Sequence, residues 1–142
     1  MPVLCAALRA CPRLAHLTFQ LNPYYGHGAT QRAVTELLNA VVSLPALNVL
    51  NLSFSRFEDN VAAGRAIGAL LGANLPTLHT LGVVACQLGD EGMEPLLDGL
   101  AANTHLRELD CHPGNDVSRA FLLRRMEPAV TAVQARAVRT AR

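Results

Sequence analysis

The side chains of this chain that could do chemistry are four cysteines, five histidines and a carboxylate pair in Gly89-Asp90-Glu91-Gly92. A zinc site needs several nitrogen and sulfur ligands, typically drawn in pairs from one turn or helix. Cys5, Cys11, Cys86 and Cys111 fall at neither metal-binding nor disulfide spacing, and His16, His79 and His105 stand singly in separate stretches. The cysteines therefore read as buried free thiols, which suits a reducing compartment, cytoplasm or nucleus. Adjacent carboxylates could share acid-base work. Asp90 and Glu91, however, open an apolar-periodic stretch, where acidic groups suit the positive end of a helix and can cap its free N–H groups. No G-x-S-x-G, phosphate loop or H-E-x-x-H occurs. The expectation is a non-enzyme, with no catalytic residues, no metal and no cofactor.

The elements that must position these residues repeat. A ladder occurs as Leu14-x-x-Leu17-x-Phe19, Leu47-x-x-Leu50-x-Leu52, Leu78-x-x-Leu81-x-Val83 and Leu106-x-x-Leu109-x-Cys111, with first leucines 33, 31 and 28 residues apart. Eight positions after its first leucine each copy has a polar or small residue, Asn22, Ser55, Cys86 or Gly114. In three copies a large apolar residue follows two later, Tyr24, Phe57 or Leu88. Alternation within each ladder predicts a short strand whose leucines face a core and whose neighbours face out. Between ladders, Leu4 and Leu8, then Leu37, Leu38 and Val41, then Ile67 and Leu71, then Leu96, Leu97 and Leu100 recur at three- and four-residue intervals. That spacing predicts one apolar helix face per copy. A single strand and helix cannot bury themselves, so the copies must stack.

The pattern, L-x-x-L-x-L-x-x-N/C-x-L, resembles the leucine-rich repeat. Residues 78–103 are similar to its long-repeat subfamily typified by ribonuclease inhibitor, in which a short strand alternates with a full helix. The resemblance covers residues 3–130 and implies an α/β leucine-rich-repeat solenoid, a short curved array with a parallel sheet on its concave face. The chain then reads as one domain, residues 1–142, with units at about 14–46, 47–77, 78–105 and 106–138, a partial helix at 1–13 and an Arg/Ala-rich tail at 134–142. Most members of the family bind other proteins, which implies a non-catalytic interaction or assembly module. A few regulate GTPases, and Arg56, immediately after the second strand, is the residue such a role would use.

Insertions can be placed by alignment. Leu78 to Leu96 is 18 residues, whereas Leu14 to Leu37 and Leu106 to Ala129 are both 23, so the extra five lie between strand and helix. Met93-Glu94-Pro95 reappears as Met126-Glu127-Pro128, and proline is tolerated in a helix's first turn. We expect a short helix over 118–126 started by Ser118, with Pro128 opening the repeat helix, or else a single kinked helix. Residue 3 already lies in a repeat helix without a strand before it and without a polar cap. That reads as a fragment, a divergent short form, or a piece that docks within a larger complex.

With 51% hydrophobic residues and mean hydropathy +0.24 the chain can bury a core, yet no apolar run approaches a membrane span. A net charge of +1 argues against a general nucleic-acid or membrane binder. The candidate partner is another protein, and two surfaces could receive it. On the concave face, the outward positions are His16, Thr18 and Gln20; Val49, Asn51 and Ser53; Thr80, Gly82 and Val84; Glu108, Asp110 and His112. Gln20, Asn51, Ser53, Thr80, Glu108, Asp110 and His112 are its candidate contacts, in a strip roughly 15 Å wide whose acidic end suits a partner with a basic edge. In the first long loop Tyr24 aligns with core residues, leaving Tyr25 and His27 as candidate contacts. A rival reading uses the C-terminal helix. From Ser118 onward it carries six arginines against one acid, and Arg124, Arg136, Arg139 and Arg142 could anchor it to RNA or another acidic surface.

Overall fold

In the computed structural model, which describes residues 1–21 and 28–140, strands and helices alternate in an α/β arrangement. The elements run α1 (Pro2–Arg9), β1 (His16–Thr18), α2 (Gln31–Val42), β2 (Val49–Asn51), α3 (Asn60–Gly72), β3 (Thr80–Gly82), α4 (Gly89–Ala101), β4 (Glu108–Asp110), α5 (Arg119–Phe121) and α6 (Glu127–Thr140). A π-helical turn, Leu122–Met126, joins the last two. The strands form one parallel sheet in the order β1-β2-β3-β4. Its register aligns the copies residue for residue, with Leu17, Leu50, Leu81 and Leu109 in a single row.

Leu50, Leu81 and Leu109 are buried, as are the flanking ladder residues Leu47, Leu52, Leu78, Val83, Leu106 and Cys111. The helices supply the other wall of this core through Val34, Leu37, Leu38 and Val41 of α2, Ile67 and Leu71 of α3, and Met93, Leu96, Leu97 and Leu100 of α4. Each set falls on the face that three- and four-residue spacing predicts. Thr30 and Asp59 start α2 and α3 by accepting from the amides of Ala33 and Ala62, which offsets the unpaired N–H groups of a first turn.

Side chains at the ends of the strands tie each copy to the one before. Ser55 Oγ accepts from Leu21 N at 2.9 Å, and Cys86 Sγ donates to Leu52 O at 3.3 Å. In the last copy the equivalent group is Asn115, not Gly114 as alignment suggests. Asn115 Nδ2 donates to Val83 O and Cys111 O, and its Oδ1 accepts from Leu88 N. The loop after β4 is one residue longer, so Gly114 instead takes a left-handed φ of 89° beside Ala85, which itself has φ 54°. Ahead of the strands, Asn103 Nδ2 donates to Leu71 O while its Oδ1 accepts from the amides of His105 and Leu106.

Helices α3 and α4 meet backbone to backbone. A Cβ at Gly64 would lie 1.9 Å from Gly92 O, and one at Gly99 would lie 2.0 Å from Gly68 O, so no larger residue fits without parting the helices. Between α2 and α3 a groove of about 260 Å³ remains, lined by Leu38, Val42, Ala66, Ala69 and Leu70 among others.

The structure decides one sequence expectation between its alternatives and corrects part of another. Of the two expectations for the C-terminal segment, the single irregular helix is the one found, rather than a short helix followed by a new one at Pro128. Ser118 does start it, accepting from Phe121 N, and the π turn follows, with Glu127 N–H reaching back to Leu122 O. Pro128 has no N–H to give its preceding turn, and the wider turn precedes it directly. Helix α6 runs on to Thr140 and so takes in most of the Arg/Ala-rich stretch that begins at residue 134. Asp90 lies in the first turn of α4 as expected, but rather than cap that helix it accepts from Ser118 N and Ser118 Oγ, both at 2.7 Å, and so fastens the start of the last helix to α4.

Candidate partner-binding face

Because strand residues alternate and the central leucines face the helices, the opposite side of the sheet carries His16 and Thr18, Val49 and Asn51, Thr80 and Gly82, and Glu108 and Asp110 in matched rows. Gln20, Glu108, Asp110 and His112 are exposed, and Thr80 is half-buried. In the middle of the face two side chains, Asn51 and Ser53, already give an oxygen to a backbone amide. Asn51 Oδ1 accepts from Ser53 N at 2.9 Å. A Cβ on Gly82 would come 2.6 Å from that same oxygen, so the glycine of β3 makes the room into which the Asn51 amide leans. Ser53 is only 7% exposed, and its Oγ accepts from Val84 N at 3.0 Å. This corrects Ser53 as a free contact residue. The strand register puts its hydroxyl over the next strand's amide.

Glu108 and Asp110 differ from these. Neither carboxylate takes part in the ion pairs found among the described residues, which are Arg32 with Glu36 and Arg125 with Glu94 and Asp98. The face therefore has an engaged centre and an open acidic end at β4.

Phe54, which sequence alternation does not flag, lies just past β2. It is 57% exposed and holds φ at 64°, a conformation bulky residues rarely adopt. Its amide donates to Val84 O, so pairing with the next strand holds this backbone in place. Also unanticipated is a groove between the end of β4 and the last helix, lined by Cys111, His112, Leu122, Met126, Glu127, Val130 and Thr131. Helical spacing puts Leu122, Met126 and Val130 together, but their distance from β4 is not readable from the chain.

Of the other candidates, Tyr25, His27 and Arg142 lie outside the described residues. Arg124 and Arg139 are exposed and Arg136 is half-buried. Arg125 is paired with two acids of α4, at 3.0 Å to Glu94 and 2.8 Å to Asp98. Arg56 is exposed, and its backbone bonds to the segment between β1 and α2, accepting from Ala29 N and donating to Leu21 O.

The titratable groups fit a structural role. Burial pushes the thiols of Cys86 and Cys111 up to about 11, with the Asp110 carboxylate adding to the effect at Cys111, so both stay protonated and poorly nucleophilic. Cys5 is buried as expected, but Cys11 is exposed, at the end of α1 where the chain turns toward β1. His79 is held below its ordinary 6.5 by burial first, then by the charges of Arg107 and His105. Its Nδ1 lies 3.0 Å from Asn48 Nδ2, an amide donor that suits the neutral ring. Among the described residues no three His, Cys, Asp or Glu side chains are grouped as a metal site would need, and no helix is long and apolar enough to cross a membrane. Neither family models nor curated proteins provide a match to the chain.

Proposed function

We propose that the chain is a leucine-rich-repeat solenoid of about four units that acts as a non-catalytic protein-interaction or assembly module in a reducing compartment. Its partner is a protein with a basic edge, bound on the helix-free face of the sheet. The observation that carries this reading is the pair of exposed carboxylates, Glu108 and Asp110, at one end of a four-stranded face in whose centre Asn51 and Ser53 already give an oxygen to a backbone amide. Unpaired surface charges of one sign steer and orient a partner of the other sign more than they add to fold stability. The repeating ladder in unbroken register supports the repeat architecture, and the free cysteines support the compartment.

The test is affinity capture from a native lysate by the full chain and by the double variant Glu108→Arg with Asp110→Arg. A protein retained by the first and lost by the second, at equal melting temperature, is the expected result. Equal retention by both would move the site off this face. A second reading has its own support, since Arg124 and Arg139 of the last helix are exposed. An RNA or anionic-vesicle ligand held by several arginines would dissociate steeply with added salt, and capture insensitive to salt argues against it.

A further inference from the structure

The groove at the β4 end differs from the other hollows of the molecule in what surrounds it. Met126 and Cys111, both buried, form part of its lining, and the half-buried Leu122 and Val130 leave apolar surface open beside them. Glu127, Thr131 and His112 are its exposed members. The last helix sorts its charges by flank. Leu122, Met126, Glu127 and Val130 face this groove, whereas Arg124, Arg125 and Arg136 line a separate hollow against Leu97 and Leu100 of α4. The groove is thus shielded from the arginines by the helix itself. Asp110 stands two residues before His112, roughly 7 Å along an extended chain, so a second free carboxylate lies within reach of whatever occupies it.

We propose that this groove receives one large apolar side chain of a linear basic peptide segment, whose flanking Arg or Lys residues lie against Glu127 and Asp110. Its volume, about 310 Å³, is at the low end of the ~300–1,000 Å³ typical of ligand pockets. It suits a single anchoring side chain rather than a folded surface. An apolar anchor beside a charge-assisted contact is the usual composition of a binding hot spot, with the anchor excluding water from the ion pair. The neutral thiol of Cys111 keeps that part of the lining apolar. This inference rests on the reading of the chain as an interaction module and assigns the chemistry of what it binds.

The experiment is selection of random twelve-residue peptides displayed against the full chain, followed by fluorescence anisotropy of labelled winners at several salt concentrations. Winners should carry Arg or Lys within about three residues of a Leu, Met or Phe, and should weaken as salt rises. Thr131→Trp, which fills the groove, and Glu127→Arg, which reverses its charge, alter exposed positions only; each should weaken binding at least tenfold with the melting temperature unchanged. Peptides that bind Thr131→Trp and Glu127→Arg normally but fail on Glu108→Arg with Asp110→Arg would overturn the groove and leave the sheet face standing as the site. Winners without basic residues, or indifferent to all these variants, would overturn both.

Discussion

The centre of the open sheet face and its β4 end are built from the same alternate strand positions, yet their polar side chains are put to different uses. At the centre, Asn51 and Ser53 each give an oxygen to a backbone amide, and Gly82 stands aside for the Asn51 carboxamide. Among the described residues β4 is the last strand of the sheet, and Glu108 and Asp110 project from it with no ion-pair partner. The difference teaches that outward-facing does not mean available. Ser53 is drawn into joining the neighbouring segment by accepting from Val84 N, and Asn51 accepts from Ser53 N in its own, because an unpaired amide beside either would otherwise carry a desolvation penalty. At β4, the edge of the sheet among the described residues, the same kind of position is left without such a bond.

Substitutions can break or sharpen this contrast. The largest effect belongs to the row beneath the centre. Leu81→Ala removes a fully buried side chain from the shared core and should cost about 2–5 kcal/mol in urea unfolding, because the strands on both sides fix the cavity's walls. A loss well under about 1 kcal/mol would mean that the copies do not share one core. Next comes Ser53→Ala, which strips Val84 N of its acceptor and should cost about 1–3 kcal/mol without changing partner capture. If capture falls while stability holds, the centre is a binding surface after all and the contrast fails.

At the β4 end the expectation is reversed. Glu108→Arg with Asp110→Arg should change stability by no more than about 0.5 kcal/mol, as exposed positions do, while weakening the partner at least tenfold. Stability loss comparable to that of Ser53→Ala would show the two regions to be alike. The smallest effect is a titration. His79 is held below 6.5 in the folded chain, so as pH falls below about 7 the unfolded chain takes up a proton that the folded one resists. Its contribution is therefore intact above 6.5 and is lost progressively as pH falls toward the lower folded value. Unfolding free energies at pH 7.5 and 5.5 should differ less for His79→Gln than for the parent chain, and an equal difference would assign the pH dependence elsewhere.

Much of the scaffold can be read directly from residue spacing. The ladder leucines place four strands in matching register, the three- and four-residue intervals place the helix faces, and Ser118 marks the last helix start. These follow from local periodicity, which acts within a few residues and survives any arrangement of the copies. What one copy does to the next is less legible. Asn115 rather than Gly114 completes the last tie to its neighbour, because one extra residue in the loop shifts which side chain reaches Val83 O. The glycines of α3 and α4 look like weak points in a helix until the two backbones meet at Gly64 and Gly99.

The candidate site divides in the same way. Residue types and alternation alone determined that Glu108 and Asp110 face away from the leucines, since a strand's two faces are set by its own backbone. Tertiary structure alone decided that Ser53 is occupied and that a groove opens beside Glu127. Each depends on a contact between segments about 15–31 residues apart, where loop length and helix irregularity set the distances and no local pattern carries them.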